Sequence, residues 1–160
     1  NIVAKYNAKV ILIPQVTTEY HKDDDRVISK RVYERVYRKH GVILIDENPS
    51  HYDVKAMYSD LDYMVGTRFH SVIFALTGYV PSIGIEYEHK TSGIMHDLGL
   101  DKWVVKIEDV TARKLIMMFD DLVANHVMYK THLVKILPPY IERTKEIPEL
   151  LREVYERSKI

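Results

Sequence analysis

The chain has 160 residues, 46% of them apolar and 29% charged, with 23 Lys and Arg balancing 23 Asp and Glu. That balance excludes a basic field able to hold nucleic acid or an anionic membrane by bulk electrostatics, so any anion must be bound locally. The absence of cysteine excludes disulfides, thiolate nucleophiles and Cys-based zinc sites, and no apolar run approaches the roughly 20 residues needed to span a bilayer.

With no basic-then-apolar leader at its start, the chain is expected to be cytoplasmic. The opening run NIVAKYNAKV begins at Asn1 and reads as the end of a helix entering a strand, as expected of a chain cut from something longer. Apolar runs rich in Val and Ile follow at 10–16, 41–48, 61–67, 80–87 and 103–107. Being apolar on both faces, they predict a parallel sheet covered on two sides. Helical patterns lie between them at 27–40, 52–61, 68–78 and 91–100. In the third, Phe69, Val72, Ile73 and Leu76 fall on one helical face, and Gly78 is expected to end it in a left-handed conformation.

Beyond Val110 the pattern turns helical, with Leu115, Ile116, Phe119, Leu122, Val123 and His126 in helical register over 111–136. Pro138 and Pro139 are expected to interrupt, and a charged helix resumes over 140–158. The expectation is therefore an α/β, Rossmann-like three-layer domain. It comprises a mostly parallel sheet of about five strands over 1–110 and C-terminal helices over 111–160.

Right-handed crossovers bring all strand-to-helix loops to the carboxyl edge of such a sheet, where open α/β folds bind ligands. Four polar clusters fall in those loops: Gln15 with residues 17–26, then 46–51, 66–70 and 86–93. In the third, Arg68 stands where a helix begins, a poor place for a cation unless an anion compensates. Free backbone N–H groups there favour an anion as well, and a protonated His70 beside one is a proton donor at neutral pH. The structural alternative pairs Arg68 with Asp62 or Asp25. In the fourth cluster Lys90, Thr91, Ser92 and Gly93 open the next helix, where phosphate oxygens could meet a lysine, hydroxyls and amides, although Thr91 or Ser92 could equally cap it. Neither GxxxxGK[ST] nor GxGxxG occurs, so the usual ATP and dinucleotide fingerprints are missing.

The run DLDYMVGTRFHSVIFALTGYVPSIGIEYEHKTSGIMHDLGL, residues 60–100, resembles the signature of the polysaccharide pyruvyl transferase family, with weaker similarity upstream in VILIPQV and DDDR. The likeness runs from about Ala8 to Val110 and centres on RxHS and YxxK. It implies the second half of a two-lobed, GT-B-like protein whose first half lies outside this chain. It also implies transfer of the enolpyruvyl unit of phosphoenolpyruvate to a sugar as a cyclic ketal, with no further cofactor. Carried over, Arg68 would hold the donor's carboxylate or phosphate and His70 would be the general acid. Phe69 stands where many members have Leu; a backbone contact would survive that change, though pocket shape would alter. Lys90 and Ser92 are candidates for further phosphate contacts, and Gln15 and Asp25 for the acceptor side or for support. A fragment of this kind is expected to be inactive alone.

No HxxxH or HExxH pair occurs among the histidines, so no metal is expected. Asp23, Asp24 and Asp25 read as a solvated or helix-capping run. Two rival functions remain open. A nucleotide-sugar glycosyltransferase lobe could use Glu86 or Glu88 at a ribose, and a non-catalytic module could bind an anion or a partner chain.

Overall fold

The computed structural model describes residues 2–18, 23–37 and 39–158. They gather into two compact units, Asn1–Met57 and Tyr58–Ile160.

In the first unit α1 (Ile2–Tyr6) leads into β1 (Val10–Leu12), and α2 (Asp25–Arg35) carries the crossover to β2 (Val42–Leu44). The strands are parallel, with Val10 opposite Val42 and Leu12 opposite Leu44. α2 starts earlier than its apolar pattern because Asp24 caps it, its carboxylate accepting from the Arg26 amide at 2.8 Å. The acidic run thus serves as a helix start. α3 (His51–Ser59) opens on a reciprocal cap in which Ser50 and Asp53 exchange hydrogen bonds.

The second unit holds β3 (Met64–Gly66), α4 (Phe69–Thr77), β4 (Ser82–Glu86), α5 (His89–Asp97) and β5 (Val104–Lys106). Three helices follow: α6 (Ala112–Ala124), α7 (His126–Thr144) and α8 (Ile147–Arg157). The sheet order is β3-β4-β5, all parallel. Two successive crossovers in one direction put α4 and α5 on one face. β4 is buried on both faces at Ser82, Ile83, Gly84 and Ile85, and α6 packs against it. Tyr129 of α7, fully buried, donates to the Ser82 carbonyl at 3.0 Å, and its ring packs tilted against that of Trp103 with centroids 4.6 Å apart. These helix–sheet–helix layers are those of a Rossmann-like α/β fold.

Four expectations need correction. The five parallel strands form a two-stranded and a three-stranded sheet rather than one. Only three residues of most apolar runs hold ladder geometry, and Pro14, lacking an N–H, cannot extend β1. Coverage on two sides holds for β4, whereas Ile11, Ile43 and Val65 at the centres of β1, β2 and β3 are exposed. Gly78 has φ −85°, and it is Tyr79 that takes the left-handed turn at φ 60°. Gly78 is needed for closeness instead, since a β-carbon there would lie 2.9 Å from Ser59 Cα.

The fourth correction concerns the C-terminal helices. They break at Asn125, whose side-chain amide donates to the Asp121 carbonyl, and not at the prolines. α7 continues past Pro138 and Pro139 to Thr144. Both lie on its exposed side, where the Val134 and Lys135 carbonyls they leave unserved are at exposed residues, while Tyr129, Leu133 and Leu137 anchor the buried side. No helix among the described residues is long and apolar enough to cross a membrane.

Candidate functional site

The carboxyl ends of β3, β4 and β5 lie side by side, and the starts of α4 and α5 rise from the first two. Gly66 pairs with Gly84 in register, and Glu86 with Lys106. Both glycines admit the helix that follows. A β-carbon on Gly66 would sit 2.5 Å from Ser71 Oγ, and one on Gly84 2.8 Å from Thr91 Cγ2. Ser71 and Thr91 are both buried. Thr91 is therefore packing against the strand, not presented to a ligand.

Arg68 occupies the N-cap position of α4 in extended conformation, φ −82° and ψ 132°, with no side-chain cap and no acidic residue in the first turn. The Ser71 hydroxyl and amide both donate to its carbonyl, at 2.6 and 3.1 Å, which fixes the backbone from which the guanidinium departs. Nη1 of Arg68 donates to the Tyr87 hydroxyl at 3.3 Å, and the guanidinium carbon lies 5.9 Å from the centre of the Tyr87 ring. Spacing alone does not reveal this contact, because 19 residues separate the partners. Adjacency of β3 and β4 was the available signal: Arg68 and Tyr87 each follow a register glycine by a few residues.

His70, in the first turn of α4, is exposed, and its ring lies 5.6 Å from that of Phe69 and 6.3 Å from that of Phe74. Phe69 is half-buried beside it. The two aromatic rings limit the directions the imidazole can take while leaving it open to solvent.

α5 begins at His89, two residues before its apolar pattern, with Glu88 at the N-cap and no side-chain cap. Lys90 and Ser92 fall within its first turns. Lys90 Nζ stands 4.0 Å from the Glu88 carboxylate, both groups well exposed, and such a pair contributes little. The Ser92 hydroxyl donates to the Glu86 carboxylate in a short bond and also approaches the His89 carbonyl at 3.1 Å. A cleft of about 480 Å³ opens here, lined by Glu86, Tyr87, Glu88, His89, Ser92 and Lys106 among others.

Gln15 and Asp25 lie in the first unit. The Asp25 carboxylate accepts from the amides of Gln15 and Val16 at 3.2 and 3.0 Å, tying the loop after β1 to the start of α2. Oε1 of Gln15 is buried without a hydrogen-bond partner among the described residues. In the same unit Arg26 clasps Asp24 through Nε and Nη2, the shorter bond 2.6 Å, and holds that carboxyl down at about 2. Among the described residues no group of three or more His, Asp or Glu is arranged to hold a metal.

Comparison with known proteins places the chain in a family. The chain is 24% identical over 107 residues to the amylovoran biosynthesis protein AmsJ of Erwinia amylovora; the match covers 67% of this chain and 26% of that protein, so the chain spans about a quarter of its relative's length. No solved structure matches. The family model described as polysaccharide pyruvyl transferase matches residues 2–89, more than half of the chain, including the Arg68–His70 turn and Tyr87 and stopping just short of Lys90. By that match the chain belongs to the polysaccharide pyruvyl transferase family.

Proposed function

We propose that this chain is the donor-binding lobe of a two-lobed, GT-B-like pyruvyltransferase that moves the enolpyruvyl unit of phosphoenolpyruvate onto a sugar as a ketal. The observation that carries the reading is the turn into α4, where Arg68, His70 and an uncapped helix N-terminus share one edge of the sheet. A first turn without a carboxylate suits a bound anion, and Arg68 can grip a carboxylate or phosphate through two parallel N–H bonds.

In this reading His70 donates a proton to the methylene carbon of the enol phosphate, leaving an oxocarbenium-like centre at C2. One sugar hydroxyl adds there and loses its proton. Phosphate then departs with the C2–O electron pair, and the second hydroxyl closes the ketal. One of the two hydroxyl protons restores His70 and the other leaves with phosphate. Arg68, the α4 amides and Lys90 stabilise the anionic groups throughout. Phe69 shapes the wall beside the imidazole. Asp25 supports the loop after β1 within the first unit, through the bonds it accepts from the Gln15 and Val16 amides.

Thermal-shift measurements with phosphoenolpyruvate, UDP and GDP test the reading. Stabilisation by phosphoenolpyruvate is expected; stabilisation by a nucleotide without it would favour a nucleotide-sugar transferase and overturn the proposal.

A further inference from the structure

From the cleft at the carboxyl ends of β4 and β5 we infer a subsite for a neutral saccharide, in which Glu86 takes the proton of the attacking hydroxyl. The inference rests on the pyruvyltransferase reading and adds where the acceptor sits and which group activates it. Hydrogen bonding is the first argument. Glu86, Glu88 and Glu108 line the cleft together with Lys106, and Lys90 stands 4.0 Å from the Glu88 carboxylate. An uncharged polyol supplies the hydroxyl donors that those carboxylates accept.

Shape and adjacency agree. About 480 Å³ falls within the ~300–1,000 Å³ of small-molecule sites. Tyr87, 46% exposed, offers an aromatic surface for the C–H face of a sugar ring. The same Tyr87 receives the Arg68 hydrogen bond, so one residue touches both the donor cation and the cleft. Ser92, through its bond to Glu86, orients that carboxylate, which gives its hydroxyl an acceptor-side use in place of a phosphate contact.

The step balances. The hydroxyl O–H bond breaks, its proton moves to a Glu86 oxygen, and the freed oxygen pair forms the new bond to C2. The carboxylic acid so formed returns the proton to the departing phosphate, which leaves as hydrogen phosphate.

Amide spectra of the ¹⁵N-labelled chain, titrated separately with phosphoenolpyruvate and with the methyl β-glycosides of glucose, galactose and mannose, test this. At least one glycoside should move Tyr87, Ser92 and Lys106, while phosphoenolpyruvate moves Arg68, Phe69 and His70. Glu86→Gln should weaken the glycoside response about ten-fold or more and leave the phosphoenolpyruvate response in place. If that variant does not fold, Ser92→Ala should weaken the same response. Glycosides that bind nowhere, or elsewhere, overturn the subsite while a surviving phosphoenolpyruvate response keeps the functional reading; loss of the phosphoenolpyruvate response alone overturns the functional reading.

Discussion

Gly66 stands opposite Gly84 across the β3–β4 ladder, and each leaves room for the helix that follows its own strand. The contact at Gly66 bears on the site, because Ser71 Oγ, 2.5 Å from where a β-carbon would lie, makes the shortest of the hydrogen bonds that hold the Arg68 carbonyl. Gly66→Ala should displace Ser71, destabilise the fold by about 1–3 kcal/mol and weaken phosphoenolpyruvate binding as Arg68 loses its support. Gly84→Ala pushes on buried Thr91 and should cost a similar amount with less effect on the donor. Urea denaturation paired with calorimetric titration separates the two; equal binding losses would contradict the role given to Ser71.

Much of this arrangement was legible in the sequence, and the limits have physical causes. The α4 face of Phe69, Val72, Ile73 and Leu76 and the glycine before Arg68 are local signals, readable because helical spacing and turn geometry depend on near neighbours. Arg68 with Tyr87, and Glu86 with Lys106, meet only through strand adjacency, which periodicity does not encode. Pro138 and Pro139 mislead for a related reason. A proline's local cost is set by whether the carbonyls it strands face water, and that depends on which side of α7 packs inward.

Replacing Arg68 by lysine keeps the charge and removes the planar fork. Lysine cannot donate two parallel bonds to a carboxylate while its charge also reaches the Tyr87 hydroxyl as the Arg68 fork does. Phosphoenolpyruvate affinity should fall about ten-fold or more, ~1.4 kcal/mol, with the unfolding midpoint little changed. Calorimetric titration of the variant provides the check, and wild-type affinity would remove Arg68 from donor binding.

Acid should loosen the start of α2. The Asp24 carboxyl is held at about 2, below its ordinary 3.8, chiefly by the Arg26 side-chain hydrogen bonds. A carboxyl depressed in the folded state adds stability that is present above the unfolded value and lost as pH falls through the folded one. The contribution should therefore vanish between about pH 4 and pH 2. Carbon-detected titration of the Asp24 carboxyl, alongside the Arg26 amide shift, follows it directly. Asp24→Asn should flatten that part of the stability profile, because asparagine can still cap the helix but does not titrate.

Tyr129→Phe isolates one buried hydrogen bond. The Tyr129 hydroxyl donates at 3.0 Å to the carbonyl of Ser82, and both residues are fully buried, so the variant keeps the ring against Trp103 while leaving an acceptor in the core unpaired. Leaving a buried polar group unsatisfied costs about 1–3 kcal/mol, and no cavity larger than the lost oxygen forms to add to it. Tyr129→Leu removes the ring as well and should cost more, through lost packing in the layer that ties α7 to β4. Urea denaturation of both variants gives the ordering. A Tyr129→Phe protein as stable as the parent would mean that Ser82 finds another donor, and the link between α7 and the sheet would then rest on packing alone.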